Sequence, residues 1–315
     1  MRRFPFRAGI LSGLVFTGAC LLGRGALAAA EAPTKKPTLF VVGDSTARNT
    51  GTGKSGAPIV GWGTPLADYF DPAKVAIANV AHAGQSSRTF YTIPGDWPSV
   101  LPRIGAGDFV LLVFGINDGG PPHTEKDRGS VPGLGEATVS LTKADGTVET
   151  VHTYGWYMSA MAAAAQSRGA HVYLLTVTTR NIWSNPKAKF RDATPTEPLP
   201  ADYDPKEDRI ERGTGGGHYT QWTKELGATL HLPVLDLTNL CADRYERMGR
   251  ETVNVLYSDH NHTYLPGAEI VAASIVAGLK AFPHSPFVAL LSEKGRAVEP
   301  ADPKYVSENP APVEH

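Results

Sequence analysis

The stretch TLFVVGDSTARNT, Thr38 to Thr50, changes character at Gly43. Leu39 to Val42 are all apolar, and a run without alternation predicts a parallel strand covered on both faces. Gly43, Asp44, Ser45 and Thr46 follow, and Gly, Asp and Ser are the residues turns prefer. The strand therefore ends by presenting Ser45. A hydroxyl in that place is either ordinary turn chemistry or a nucleophile. The second reading requires a base and oxyanion donors elsewhere in the chain.

Four more apolar runs share this character: KVAIANVA (Lys74 to Ala81), DFVLLVFG (Asp108 to Gly115), HVYLLTVTT (His171 to Thr179) and LPVLDLT (Leu232 to Thr238). Helical patterns lie between them. YGWYMSAMAAAAQSRG places Tyr157, Met161 and Ala165 on one stripe and stops at Gly169. A last helix, from about Pro266 to Ala281, stacks Val271, Ile275 and Leu279, with Pro266 in its first turn. Strands alternating with helices predict an α/β doubly wound, five-stranded parallel sheet. One segment departs from this. ATVSLTKADGTVETVHTY alternates β-formers around Asp145-Gly146 and predicts a β-hairpin inserted after the third strand.

The 315 residues are 42% hydrophobic and 19% charged, which suits a globular protein with a full core. Arg2, Arg3 and Arg7, an apolar stretch from Ala8 to Leu22 and the small residues ALAAA read as a signal peptide over residues 1–30. The Arg pair is compatible with twin-arginine export. Without those thirty residues 26 basic and 31 acidic side chains remain, a net of −5, so no basic face for nucleic acid is expected. Cys20 leaves with the signal and Cys241 stays alone, which excludes an intramolecular disulfide. The main domain is expected over residues 31–283. The Pro- and Glu-rich residues 284–315 are expected to be a partly flexible C-terminal extension.

Ligands of such sheets gather at the carboxyl ends of the strands. The first strand ends at Ser45, the second runs on to Gly84, the third to Asn117 and Asp118, the fourth to Arg180 and Trp183. The loop before the last helix, YSDHNHTYLPG, carries Asp259 and His262 three residues apart. That spacing lets the carboxylate reach Nδ1 of the imidazole and leaves Nε2 for Ser45. His260, beside Asp259, is expected to point elsewhere. The backbone N–H groups of Ser45 and Gly84 and the Asn117 amide are the candidate oxyanion donors. No other cluster of His, Cys, Asp or Glu completes a metal shell, and the chemistry needs no cofactor.

The ordered blocks GDST, NVAHAG, GIND and DHNH resemble the SGNH (GDSL-type) hydrolase family over about residues 38–281. Together with AGQSSRTF, FGINDGG, TVETVHTYGWY, TTRNIW and DHNHTYLPGAE, they resemble its rhamnogalacturonan acetylesterases. The resemblance implies a flavodoxin-like three-layer α/β/α fold. It also implies a serine esterase that removes O-acetyl groups from pectin, with Ser45, Asp259 and His262 as catalytic residues and Ser45, Gly84 and Asn117 as the oxyanion hole. Such members commonly carry His where Ile116 stands, a difference expected to affect substrate fit more than chemistry. Arg88 and Arg180 are expected to meet uronate carboxylates, and Trp183, Trp62 or Trp97 to offer a sugar platform. The alternatives are an acetylesterase on xylan or a cell-wall glycan, a GDSL lipase or lysophospholipase, and a carbohydrate-binding protein. GDSTA also approaches the nucleophile elbow of α/β-hydrolases, but there strands precede the nucleophile and the acid and His come from separate loops. The sole glycosylation sequon, Asn261-His262-Thr263, lies inside the proposed site, which suits a bacterial exported protein, periplasmic or extracellular. A monomer free of membrane after signal removal is expected, acting on an acetylated polysaccharide.

Overall fold

Leu39, Phe40, Val41 and Val42 are all at most 2% exposed, so the strand they form needs cover on both sides. The computed structural model describes residues 35–122, 128–192, 194–214 and 217–308, and the elements below belong to the unit that begins at Lys36. The expected signal peptide and Cys20 lie outside the described residues. β1 (Thr38–Val42) leads through the Ser45 turn into a two-residue ribbon, β2 (Gly51–Thr52) with β3 (Pro58–Ile59). β4 (Ala76–Asn79) and β5 (Phe109–Leu112) flank β1 in parallel, with Ile77 and Phe109 both opposite Leu39. The short helices α1 (Ser87–Thr92) and α2 (Trp97–Val100) connect them. β6 (Val139–Thr142) and β7 (Val148–Val151) form the expected hairpin, with Gly146 at φ +80° in its turn. α3 (Tyr154–Ser167) follows directly, capped by the Thr153 hydroxyl, which accepts from the Trp156 N–H. It ends at Gly169, whose φ of +83° suits a residue without Cβ. β8 (His171–Leu175) then pairs in parallel with β5.

Beyond β8 the chain builds something the apolar runs did not foretell. β9 (Ile182–Asn185), β10 (Ala188–Arg191), β11 (Thr194–Pro195) and β12 (Arg209–Ile210) form a separate antiparallel sheet ordered β11-β10-β9-β12. α4 (His218–Leu230) returns to β13 (Val234–Leu235), parallel to β8. Asp236 ends that strand early, because its carboxylate accepts from the Asn239 N–H and caps α5 (Leu237–Met248). α6 (Arg250–Asn254), α7 (Leu265–Ala281), α8 (Glu293–Arg296) and β14 (Val306–Ser307) complete the order.

Numbered along the chain, the five parallel strands lie in the order 2-1-3-4-5, the flavodoxin-like arrangement. The period of two along each strand divides the core. Leu39, Val41, Phe109, Leu111 and Leu175 pack against Tyr245 of α5 and Val271, Ile275 and Leu279 of α7. Phe40, Val42, Val110, Leu112 and Leu174 pack against Met158, Met161 and Ala165 of α3 and Leu226 of α4. Cys241 is a buried free thiol in the first of these layers. No helix among the described residues is long and apolar enough to cross a membrane.

The segment after residue 283, expected as a partly flexible extension, is packed as far as Ser307. Phe287 is fully buried, its ring centroid 4.9 Å from those of both Phe109 and Tyr173. β14 runs antiparallel along β13, Val306 opposite Leu235, and covers an otherwise open sheet edge. Replacing Phe287 by Ala should therefore lower unfolding free energy by about 3–5 kcal/mol in a urea titration. A loss below about 1 kcal/mol would mean that the segment contributes little to the core.

Candidate active site

The turn after β1 is fixed from within. Asp44 is buried, and its Oδ1 accepts from both the N–H and the hydroxyl of Thr46 at 2.8 Å. Burial pushes the Asp44 carboxyl up, and the two Thr46 bonds oppose that shift. Gly43 has no alternative, since a Cβ there would stand 2.9 Å from Val113 Cγ1 and 3.1 Å from the Val113 carbonyl oxygen. The result presents Ser45 Oγ 2.9 Å from His262 Nε2.

His262 arrives on a loop shaped by one carboxylate. Asp259 Oδ1 accepts from the backbone N–H of Asn261 at 2.7 Å and of His262 at 2.8 Å. Its Oδ2 lies 2.8 Å from His262 Nδ1. An ionised carboxylate only accepts, so Nδ1 carries the hydrogen and Nε2 is left to accept from Ser45. The Ser258 N–H donates to the His262 carbonyl, and the Thr263 hydroxyl donates to the Val60 carbonyl, tying the loop to the segment after β3. Burial would raise the Asp259 pKa, but the His262, Asn261 and His262 backbone bonds outweigh it and hold the group far below the usual range. The Asp259 bond raises His262 above its ordinary value, against the opposing effect of burial.

The loops after β4 and β5 are joined to each other. The Asn117 amide donates to the Gln85 carbonyl at 2.9 Å. Asp118, fully buried, accepts from the Ser87 N–H at 3.1 Å, from the Ser87 hydroxyl and from the Ser130 hydroxyl at 3.2 Å. Burial pushes its pKa up to about 6, although those bonds pull the other way. The sequence places Asp118 at a strand end but does not show this anchoring role, because Asn-Asp-Gly after a strand reads equally well as a plain turn. Gly84 sits between these anchors at φ +79°, and a Cβ there would meet nothing nearer than Arg128 Nη1 at 3.9 Å. Backbone handedness, rather than crowding, therefore calls for glycine.

Ser45, His262 and Asp259 thus form one continuous hydrogen-bonded chain, and Gly84 and Asn117 share a tied pair of loops. The other expected contacts are elsewhere. Arg88 is 1% exposed, its Nε and Nη2 paired with Glu149 at 2.8 and 2.7 Å and its Nη1 with the Pro122 and Gly129 carbonyls. Its donors are directed into the protein, so it cannot reach a polymer. Arg180 is committed to Glu211 by bonds of 2.7 to 3.0 Å. Trp183 is 1% exposed and donates to Asn181 Oδ1, and Trp62 and Trp97 are also buried, so none offers a sugar platform. His260 turns away from Ser45 as expected, with Nδ1 2.9 Å from Asp192 Oδ1 and Nε2 accepting from Arg191 Nη2. Among the described residues no three His, Cys, Asp or Glu side chains are grouped to hold a metal ion.

Residues 41–256 match the GDSL-like lipase/acylhydrolase family, and the chain belongs to it. It is a carboxylic ester hydrolase. The matched span ends just before Asp259 and His262. A rhamnogalacturonan acetylesterase of Emericella nidulans is 29% identical over 236 residues, covering 75% of this chain and 81% of that protein. The rhamnogalacturonan acetylesterase RhgT of Bacillus subtilis is 26% identical over 263 residues, 78% of this chain and 91% of that one. Among solved structures, YxiM of Bacillus subtilis shares the fold, with a TM-score of 0.54 at 23% identity over 79% of this chain and 57% of its own.

Two measurements check this geometry. An NMR titration should find His262 titrating above the usual 6.5, and Asp259→Asn should lower that value. An unshifted His262 would deny the carboxylate its hold on the ring. Arg88→Ala should cost about 1–3 kcal/mol of stability, because it leaves Glu149 to Lys143 alone and takes the donor from the Pro122 and Gly129 carbonyls. A fully stable variant would show that the pair does not brace α1 against the hairpin.

Proposed function

We propose that this family member is an exported serine esterase that removes O-acetyl groups from pectic rhamnogalacturonan through an acetyl-serine intermediate. The observation that carries the reading is the unbroken chain from Ser45 through His262 to Asp259, with spacings of 2.9 and 2.8 Å. The choice of acyl group and polymer follows two relatives named rhamnogalacturonan acetylesterase, each aligned over three quarters or more of this chain. Export rests on the charged and apolar pattern of the first thirty residues.

In the first half-reaction Ser45 Oγ attacks the acetyl carbonyl carbon while its proton passes to His262 Nε2. Asp259, ionised and accepting from Nδ1–H, stabilises the imidazolium. The oxyanion lies on the N–H groups of Ser45 and Gly84 and on the Asn117 amide hydrogen not given to the Gln85 carbonyl. Collapse breaks the ester bond, and the sugar oxygen leaves with the proton from His262. Water then attacks the acetyl-serine, giving its proton to His262. The second collapse returns that proton to Ser45 and releases acetate. The base acts only when neutral, so the rate should be lost as pH falls through the raised His262 pKa.

Ser45→Ala should reduce kcat/KM on p-nitrophenyl acetate by roughly 10⁴-fold or more with little change in melting temperature. His262→Ala should be similarly inactive, whereas His260→Ala, whose ring faces Asp192 and Arg191, should retain most of the rate. A Ser45→Ala variant with more than a few per cent of the wild-type rate would dismiss it as the nucleophile. Acetate release compared between acetylated rhamnogalacturonan and acetylated xylan tests the polymer, and equal rates would leave a general carbohydrate acetylesterase.

A further inference from the structure

With Arg88 and Arg180 occupied by carboxylates, a uronate polymer needs other cations. We propose that Arg48 and Arg103 form an anionic-sugar subsite beside the nucleophile turn, which takes the carboxylate of a uronate residue in the bound chain. The inference rests on the rhamnogalacturonan reading above and names the part of the surface that would recognise that polymer.

Both arginines line one cavity of about 330 Å³ at the open edge of β4, together with Asn79, His82, Asp96 and Ser99. That volume lies within the ~300–1,000 Å³ of small-ligand sites. Both arginines are exposed, and among the described residues neither guanidinium has a carboxylate partner. Arg48 Nη1 donates to the Ala81 carbonyl at 3.1 Å, and Arg103 Cζ lies 5.7 Å from the centre of the Phe40 ring. Each contact steadies its side chain and leaves further N–H groups for a ligand, in the fork geometry that matches a carboxylate. Asp96 is the one acid among the described residues lining the cavity. Its Oδ1 lies 2.6 Å from His82 Nδ1, and the two guanidinium groups outnumber its single negative charge.

The location connects this cavity to the chemistry. Arg48 stands three residues after Ser45, and its backbone N–H donates to the Ser45 carbonyl. His82 stands two residues before Gly84, and its backbone N–H donates to the Gly43 carbonyl at 3.0 Å. The wall of the cavity is therefore tied by backbone hydrogen bonds to the nucleophile turn, and its chain runs on from His82 to the loop of the oxyanion donor. With a net charge of −5 over the chain without its first thirty residues, attraction of a polyanion must come from such a local patch.

The test uses a galacturonate oligosaccharide without acetyl groups, titrated calorimetrically into the full-length protein, beside a neutral xylo-oligosaccharide of equal length. The wild type should bind the galacturonate oligosaccharide at least tenfold more tightly, and added salt should weaken that binding. Arg48→Gln with Arg103→Gln should abolish the difference. Arg103→Gln alone, which leaves the Arg48 bond to the Ala81 loop in place, should lose several-fold, and Arg103→Lys should recover part of it. In parallel, the ratio of kcat/KM on acetylated rhamnogalacturonan to that on p-nitrophenyl acetate should fall about tenfold in the double variant. No preference of the wild type for the anionic oligosaccharide, or a preference that survives in the double variant, would overturn the subsite. Tight galacturonate binding in an enzyme that deacetylates xylan equally well would keep the subsite and reject the polymer assignment.

Discussion

A strand buried on both faces has no side chain to offer to water. β1 is such a strand, and β5 beside it and β8 beyond β5 are the same at their centres. Polar chemistry is thereby confined to the turns at their carboxyl ends. Because β1 lies between the second and third parallel strands, its turn opens at the point where the connections diverge to opposite sides. Ser45 follows β1 there, and Asn117 follows β5. The close approach of Gly43 to Val113 makes this joint rigid, since neither backbone can move away without disturbing a strand packed in both layers.

Three carboxylates convert that joint into a site, and each closes a turn before it does anything else. Asp44 fixes Thr46, Asp118 ties Ser87 and Ser130 to the β5 end, and Asp259 gathers two backbone N–H groups while steadying an imidazole. Their electrostatics diverge with their surroundings. Asp44 and Asp118 are buried, and burial raises them. Asp259, partly exposed and rich in donors, stays ionised. One residue type thus supplies both scaffold and charge, according to how many N–H groups surround it.

The parts of the molecule legible in the sequence are those set by neighbours along the chain. The apolar runs, the Asp-Gly hairpin and the three-residue step from Asp259 to His262 are local patterns, and each appears in the structure. Arg88 reads as a free cation in the sequence because its partner Glu149 is 61 positions away, on a hairpin packed near α1. The burial of Trp183 is hidden for a similar reason. The sheet that buries it uses strands of two to four residues, too short to leave a periodic trace. The residues after 283 read from composition as a partly flexible extension, yet Phe287 meets the rings of Phe70, Phe109 and Tyr173, which lie far back in the sequence. The His82–Asp96 pair was invisible too, since nothing in NVAHAG announces a carboxylate fourteen residues later.

The antiparallel cover that β14 gives β13 has a consequence in time. During synthesis β1, β4, β5 and β8 can assemble as soon as they emerge, whereas β13 waits for residues some seventy positions further on to close its edge. Until then a strand with unpaired backbone groups and the hollow later filled by Phe287 stand open, a nascent state suited to association with chaperones or with other chains. A long-range closure of this kind is slow relative to local pairing. The last described strand therefore acts as a latch, and the edge of the sheet closes only after β14 has emerged from the ribosome.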